Sequence, residues 1–186
     1  MKRAIIIITA FVFVISMMGT VFAADVDTKM LEWTANTVLA KYGMDKEIVK
    51  AVKAQNKKEL SLSYIKDTDR VWRGILSGTI AIQDDMMASP CAEAAKKIVK
   101  AHPYLFELFV TDNQGANVCM TDKTGDYWQG DEAKFVKAFN GGIGSVLVAD
   151  VEVEDGKNLS QVSVPVMDKG RAIGTMTFGV NVDEVK

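Results

Sequence analysis

The chain has 186 residues, of which 48% are hydrophobic and 25% are charged, and its formal net charge is −2 at pH 7. This composition fits one globular domain with a sizeable core and argues against a disordered chain. Because the sequence contains no basic block, it gives no support for binding to nucleic acid.

The first residues have the pattern of a secretory signal peptide. Lys2 and Arg3 give a positive start, residues 4–18 are nearly all apolar, and small residues follow at the positions that a signal peptidase reads. We therefore expect residues 1–23 to be a cleaved signal peptide and residues 24–186 to form a single exported domain, most simply in a bacterial periplasm. The alternative is an uncleaved anchor, since the apolar segment is just long enough to span a bilayer.

The first half of the exported chain is predicted to be helical. An apolar stripe at spacings of three and four indicates a long first helix, and Asp45 can cap a second one. A further helix begins at Ser89-Pro90 and ends before Pro103. The polar segment 57–67 is predicted to be a turn region. The stripe of the first helix comprises Leu31, Ala35, Val38 and Tyr42.

After Pro103 the pattern changes to strands. Five segments are rich in aromatic and β-branched residues, and a helix is predicted over 129–139, between the second and the third. The turns between the last strands are short, which favours antiparallel pairing. The fold is thus predicted to be α+β, a five-stranded antiparallel sheet with helices on one or both faces. The predicted strands cover 104–111, 116–121, 145–153, 158–167 and 171–180.

The two cysteines, Cys91 and Cys119, have two interpretations. In an oxidising compartment they can form a disulfide, which would stabilise the fold by about 3–4 kcal/mol. The alternative is two buried free thiols. Since His102 is the single histidine and the cysteines are far apart, no zinc site can be assembled. The sequence also lacks the elbow of a serine hydrolase, so we expect neither an enzyme nor a cofactor.

The segment TDKTGDYWQGDEAKFVKAF, residues 121–139, combines aromatic and polar residues as a small-molecule pocket does. We predict that Tyr127 and Trp128 form the wall of a pocket, with the phenol O–H and the indole N–H free to donate hydrogen bonds to a ligand. They could instead plug the end of the sheet. The side-chain amide of Gln129 could form hydrogen bonds with a ligand carboxylate or amide, or it could be solvated.

Charged residues of the same segment are candidate partners for the charge of a ligand. Asp131 or Glu132 could hold a ligand ammonium or a nearby lysine, or both could simply stabilise the start of the helix through its dipole. Lys134 could neutralise a ligand carboxylate, although most lysines are solvated.

The last two predicted strands supply the remaining candidates. Gln161 and Ser163 share one face of the fourth strand, and they belong to the site if that face points inward. Arg171, at the start of the last strand, is an alternative cation with better bidentate geometry.

Three features together carry a resemblance to a known family. They are the first helix, the run LFVTDNQGANVCMTDKTGDYWQGDEAKFVKAF and the run VSVPVMDKGRAIGTMTFGVNVDEV. From about Asp25 onward the chain resembles the single Cache family, the PAS-like extracytoplasmic sensor domains of bacterial receptors, and above all its small exported members. The resemblance implies a PAS-like fold whose metabolite pocket lies on the sheet, under the loop and helix between the second and third strands.

The resemblance also implies a function. The usual ligands of this family are carboxylates, amino acids or other small polar nutrients. Here no membrane helix or output domain follows the sheet, so we expect action through a membrane receptor or signalling protein. The first hypothesis is therefore a periplasmic binding or sensing module for an organic acid or an amino acid. The alternative is a ligand-free structural or partner-binding envelope module, with the first helix and its Trp33 pairing two copies as a homodimer.

Overall fold

The computed structural model describes residues 28–75 and 77–186, so the predicted signal peptide lies outside the described residues. Within them the α+β prediction is confirmed, because helices precede and cover one antiparallel sheet. The helices are Lys29–Thr37 (α1), Lys46–Asn56 (α2), Leu62–Arg73 (α3), Ala81–Ala88 (α4), Pro90–Ala101 (α5) and Ala133–Phe139 (α6). The strands are Leu105–Thr111 (β1), Asn117–Met120 (β2), Leu147–Val148 (β3), Glu152–Glu154 (β4), Lys157–Asp168 (β5) and Arg171–Asn181 (β6).

The sheet has the strand order β2-β1-β6-β5-β3, and β4 pairs separately with the beginning of β5. It has six strands instead of the five predicted, because the predicted strand 145–153 is divided. Its first part pairs with Val162 and Ser163, and its second part pairs with residues 157–159. Residues 149–151 leave the strand conformation between the two parts.

One face of the sheet is apolar and carries α1, α2 and α5. Directly paired residues of antiparallel strands lie on the same face. Across β1, β6 and β5, two such rows are entirely apolar and almost completely buried, so this face is the main core of the protein. The rows are Leu108–Phe178–Val162 and Val110–Met176–Val164.

Two predicted helix starts are confirmed by their caps. Asp45 Oδ1 accepts hydrogen bonds from the backbone N–H of Glu47 (2.9 Å) and of Ile48 (3.2 Å) at the start of α2. Ser89 Oγ accepts one from Ala92 N–H (3.1 Å), with a proline at the first position of α5. Each cap stabilises its helix by about 1 kcal/mol.

The turn predicted over 57–67 is wrong, because α3 begins at Leu62. Ile65 and Trp72 are buried at a helical spacing, but the buried position between them is Asp69. Because an acid occupies one of the buried positions, the apolar residues of α3 alone do not show a clear helical period in the sequence. The first helix also differs from its prediction, since α1 has nine described residues and a 3-10 turn continues the chain over Leu39–Met44.

The disulfide alternative is the one that the structure contains. Cys91 of α5 is bonded to Cys119 of β2, with the Cα atoms 5.9 Å apart. The bond fixes α5 to the edge of the sheet within the apolar core. No helix in the described part of the chain has the length and apolar character needed to cross a bilayer.

Candidate functional site

The second face of the sheet, which we call the polar face, contrasts with the apolar one. Its paired residues alternate with the apolar rows along each strand, as the two-residue period of a strand requires. It is covered by α6 and by the loop between β2 and α6, residues 121–132, which we call the cover loop. The rows of the polar face are Glu107–Gly179–Gln161, Phe109–Thr177–Ser163 and Thr111–Thr175–Pro165.

Four hydroxyl groups lie buried on the polar face. Ser163 Oγ and Thr177 Oγ1 are 2.9 Å apart, and Thr111 Oγ1 and Thr175 Oγ1 are 2.7 Å apart. Of the two orientations that the sequence left open for Ser163, the structure has the inward one, since its side chain is fully buried. Because apolar groups of the same shape would cost the fold little, stability alone does not demand these hydroxyls.

Glu107 is the main acid of this face. A Cβ on Gly179, the residue opposite, would come within 2.5 Å of Glu107 Cγ, so the glycine leaves the room in which the side chain lies. On the far side of that glycine, Gln161 donates a side-chain hydrogen bond to the carboxylate. Burial raises the pKa of Glu107 above its usual value, and the nearby charge of Lys134 opposes this shift.

Lys134, on the first turn of α6, places a cation near Glu107, while Arg73 Nε of α3 lies 3.8 Å from Asp126 Oδ1. The Nζ of Lys134 lies 3.0 Å from Glu132 Oε2 and 5.4 Å from the centroid of the Phe109 ring, and 17% of the Lys134 side chain is exposed. The ammonium therefore lies between the helix and the polar face, above the row that contains Ser163. We call Glu107, Asp126, Glu132, Lys134 and Gln161 the charged cluster.

The charged cluster has more acid than base. Burial, and then the charges of Asp69 and Glu132, raises the pKa of Asp126, while Arg73 and Lys134 oppose the shift. The carboxylates of Asp122 and Glu154 likewise act on Glu107. Burial is the main cause of both raised pKa values, and the neighbouring acids add to it.

The cover loop is held from outside by α3. Asp69 Oδ1 accepts hydrogen bonds from the backbone N–H of Tyr127 (2.9 Å) and of Trp128 (3.1 Å). Its Oδ2 lies 3.0 Å from Arg73 Nη2. The buried acid that concealed α3 in the sequence thus positions the two aromatic residues of the loop.

Tyr127 and Trp128 have protein partners. The buried Tyr127 ring lies against Trp72, with centroids 5.5 Å apart, and its hydroxyl has a hydrogen bond with Gln55 of α2. Trp128 is half-buried, and its Nε1 donates to the carbonyl of Gln114 at 2.8 Å. Such contacts are typical of rings that fill the edge of a sheet, the second interpretation that the sequence left open.

Two buried amides beneath the cover loop have oxygens without a hydrogen-bond donor among the described residues. The side-chain nitrogens of Asn117 and Gln129 both donate to the carbonyl of Asp126, at 3.0 and 2.9 Å. Their oxygens, Asn117 Oδ1 and Gln129 Oε1, are left unpaired in residues that are 0% and 2% exposed. Two orphaned acceptors are costly in a buried place, and a donor such as an N–H group would satisfy them.

Of the remaining candidates, Asp131 and Arg171 lie outside the charged cluster, whereas Glu132 belongs to it. Asp131 is exposed on the cover loop, and Glu132 precedes α6 without a side-chain cap bond. Arg171 is exposed at the hairpin turn before β6, near Gly142, which follows the C-terminal end of α6. Since Lys134 is in the first turn of α6, the structure does not bring the two predicted cations together.

Metal binding was not expected from the sequence. Within residues 28–75 and 77–186, no group of three or more histidine, cysteine, aspartate or glutamate side chains has the arrangement to hold a metal ion. His102 instead lies between the hydroxyls of Tyr42 (2.7 Å) and Tyr104 (3.1 Å), at the entry to β1.

Sequence reasoning missed Glu107, Asn117, Asp126 and Asp69. A single acid inside the aromatic strand LFELFVT was the available signal for Glu107. Its importance depends on the glycine that lies opposite in β6, and this register cannot be read from the sequence.

Comparisons with known proteins give structural neighbours alone, since no family model and no curated protein matches the chain. The V. cholerae histidine kinase DctB sensor domain has 13% identity and a TM-score of 0.42, over 84% of this chain and 55% of that chain. The E. coli DcuS sensor domain has 20% identity and a TM-score of 0.44, over 84% and 94%. The ligand-binding domain of the P. aeruginosa amino acid chemoreceptor PctC, in complex with GABA, has 13% identity and a TM-score of 0.42, over 75% and 60%.

This chain therefore spans about half the length of the first of these proteins. All three are sensor or ligand-binding domains.

Proposed function

We propose that this protein is a binding or sensing module for a small molecule, without catalytic activity, and that its ligand lies between the polar face and the cover loop. The residues that contact the ligand are Glu107, Gln129, Glu132, Lys134, Gln161 and Ser163. Of these, all but Glu107 were expected from the sequence.

The observation that carries this proposal is the buried polarity of one sheet face. The apolar face alone supplies a continuous core, whereas the polar face buries four hydroxyls and holds a partly buried carboxylate and ammonium. Buried charges and orphaned amide oxygens destabilise a fold. A protein keeps such groups where they have a use, and clefts with perturbed carboxyl pKa values are typical binding sites.

The charges favour a ligand with an ammonium group. Lys134 is already paired with Glu132, and Glu107 is close, so an organic acid would meet excess negative charge. An ammonium would interact with Glu107 and Glu132 and would supply donors to Gln129 Oε1. Of the two expected ligand classes, we therefore favour an amino acid over a simple organic acid, with Lys134 turning to the ligand carboxylate.

Tyr127 and Trp128 form the closed end of the site in this proposal, since their polar atoms already have protein partners. Asp131 and Arg171 stay outside it. The ligand enters by displacing the Glu132–Lys134 pair at the exposed side of α6. Location in a periplasm and action through a membrane receptor or signalling protein remain proposals that rest on the sequence of residues 1–23 and on the resemblance.

A panel of ligands tests the proposal. Thermal unfolding would be followed with amino acids, small amines, purines and dicarboxylates, each in large excess. A ligand at a hundred times its dissociation constant adds about 2.7 kcal/mol. In a domain of this size that raises the melting temperature by roughly 5–10 °C. We expect the largest shifts from compounds that carry an ammonium group.

Two variants locate the binding. Glu107→Gln keeps the shape of the side chain and removes its charge, so the shift should disappear. Lys137→Gln, an exposed position on the same helix as Lys134, is the control and should leave the shift unchanged. Dicarboxylates that stabilise more than amino acids would contradict the ligand class, and a flat panel would contradict the function.

The second candidate is the ligand-free structural or partner-binding module. The complete burial of Tyr127 against Trp72 favours it, because a filled edge leaves less room for a ligand. The exposed Trp33, with 57% of its surface accessible, could then serve as a pairing surface on α1. A flat ligand panel combined with a dimer that Trp33→Ala dissociates would support this alternative.

A further inference from the structure

A basic groove lies far from the polar face, between α2 and the turn that joins β5 to β6. It is open to solvent and has a volume of about 680 Å³. Met44, Val49 and Met167 give it an apolar floor, and Met44 is 65% exposed. The cationic side chains that line the groove are Lys46, Lys50, Lys53, Lys57 and Lys169.

The groove has a strong excess of positive charge. Its one acid, Asp168, is already engaged, because Lys53 Nζ lies 2.8 Å from Asp168 Oδ2. Lys46, Lys57 and Lys169 have no acidic side chain within 4 Å among the described residues. Four of the lysines fall at spacings of three and four on α2, and like charges at these spacings destabilise a helix by a few tenths of a kcal/mol per pair.

The opposite end of the same hairpin is acidic. Asp150, Glu152 and Glu154 alternate along the edge strand β4 and the two residues before it, and Asp155 follows in the turn. Asp183 and Glu184, both exposed, follow β6 at the same end. Acids on an edge strand also discourage edge-to-edge aggregation, but that role does not require a basic groove at the other end.

These two surfaces carry opposite charges. The strand β5 has 12 residues, so they are separated by roughly 40 Å along the hairpin at about 3.4 Å per residue. A single molecule therefore cannot bring them together.

We infer that a second copy of this chain occupies the groove, in a two-fold dimer with antiparallel hairpins. Each copy then places β4 and its acids against the lysines of the other, and the same contact occurs twice, as closed two-fold symmetry requires. A flat anionic membrane is a poorer occupant, because it cannot reach the floor of a concave groove.

Ligand binding and this contact have a structural connection. The side chain of Gln55 on α2 has hydrogen bonds with the Tyr127 hydroxyl and with Asp112, and Glu154 of β4 acts on the charge of Glu107. Both halves of the dimer contact thus lie on elements that touch the cover loop or the charged cluster. The dimer itself does not depend on the proposed function and can form without any ligand.

Sedimentation of the purified protein tests the inference. At about 50 mM salt we expect a monomer–dimer equilibrium that shifts to monomer at about 500 mM, because salt screens exposed charges. Lys46→Glu with Lys50→Glu and Lys57→Glu should weaken the dimer at least tenfold. Asp150→Lys with Glu152→Lys and Glu154→Lys should do the same. Since each variant is confined to the surface, circular dichroism should show both to be folded.

Mixing the two triple variants gives the most specific test of the contact. Equal amounts of the two triple variants should form a heterodimer as tight as the wild-type dimer, because every contact again joins opposite charges. The matched control reverses three exposed lysines elsewhere, Lys97, Lys100 and Lys137, and should leave the dimer intact within about twofold.

Four outcomes would overturn the inference. They are a wild-type protein that stays monomeric at low salt, a dimer that survives either triple variant, a control that dissociates equally, and an open series of larger oligomers. Failure of the ligand panel, in contrast, would leave this result unchanged.

Discussion

The two faces of the one sheet differ in what their residues contribute. The apolar face joins α1, α2 and α5 to three strands through one continuous cluster of buried apolar side chains. The polar face buries hydroxyls and partly buries a charged cluster, although its strands are the same and its positions are only one residue away. The register of the strands determines which residues lie on each face. The two faces therefore differ in the chemistry of their side chains and not in the backbone that carries them.

This difference separates the residues that stabilise the fold from those that we propose to bind the ligand. Fully burying a large apolar side chain contributes roughly 1.5–3 kcal/mol, so the apolar face can sustain the fold. Paired hydroxyls contribute about 1 kcal/mol each at most, and a buried carboxylate costs free energy. The experiments below should therefore affect stability on one side of the sheet and ligand binding on the other.

The largest effect is expected on the apolar face. Phe178→Ala removes a fully buried ring from the row that also contains Leu108 and Val162. The free energy of unfolding should fall by about 3–5 kcal/mol, from lost transfer energy and the cavity that remains. Urea denaturation followed by circular dichroism measures it. A loss below about 1 kcal/mol would mean that this face is not the core.

The next effect concerns the disulfide. Replacing Cys91 and Cys119 together by alanine should lower the free energy of unfolding by about 2–4 kcal/mol, since the bond closes a loop of 28 residues. Counting thiols in the unfolded wild-type protein should give none without reductant and two with it. Two reactive thiols before reduction would show that the pair is not bonded in the purified protein.

The attachment of the cover loop is expected to matter less. Asp69→Asn removes the charge that pairs with Arg73 and leaves a neutral amide oxygen, a weaker acceptor, for the backbone N–H groups of Tyr127 and Trp128. We expect a loss of about 1–3 kcal/mol in unfolding free energy. Asp67→Asn, on the same helix but exposed and paired with Arg70, is the control and should change it by less than about 0.5 kcal/mol. If both variants lose the same unfolding free energy, Asp69 does not hold the cover loop in place.

Glu107 should make stability depend on pH. Burial raises the pKa of its carboxyl above the ordinary value of 4.5, so the folded protein holds this proton more tightly than the unfolded chain. The stabilisation is complete below the ordinary value and is lost as the pH rises through the higher folded pKa. Melting temperatures between pH 4 and pH 8 should fall less steeply for Glu107→Gln than for the wild type. Parallel curves would contradict the burial of this charge.

The smallest effect on stability should come from the hydroxyls. Ser163→Ala combined with Thr177→Val replaces both partners of one buried hydrogen bond, which can be almost neutral for the fold. Unfolding free energies should agree within about 1 kcal/mol. If the double variant unfolds as readily as Phe178→Ala, the polar face is structural and the contrast between the two faces is lost.

The sequence predicted much of the fold because local signals and global structure agreed there. The caps at Asp45 and Ser89 lie at the start of their helices, and the strand segments after Pro103 all appear in the sheet. Where a tertiary contact prevailed, the prediction was wrong. The helix expected from Gln129 begins at Ala133, because residues 127–129 extend along the start of β2, with a bridge from Ala116 to Trp128.

The sequence indicated the segment of the candidate site but not the arrangement of its side chains. The density of polar and aromatic residues around Tyr127 located the cover loop, and Lys134 does reach the polar face. Which rings face outward depends on Asp69, a residue from α3 that sequence spacing does not connect to the loop. Glu107 could not be recognised because its role needs the register between β1 and β6.

The most direct test compares the increase in melting temperature that the best ammonium compound of the panel gives to two variants. Val164→Ala on the apolar face should melt at a lower temperature and keep the whole increase, because the charged cluster is untouched. Glu107→Gln should melt no lower than the wild type at pH 7 and lose the increase. If both variants keep the increase, or if the apolar-face variant alone loses it, the polar face is not the ligand site.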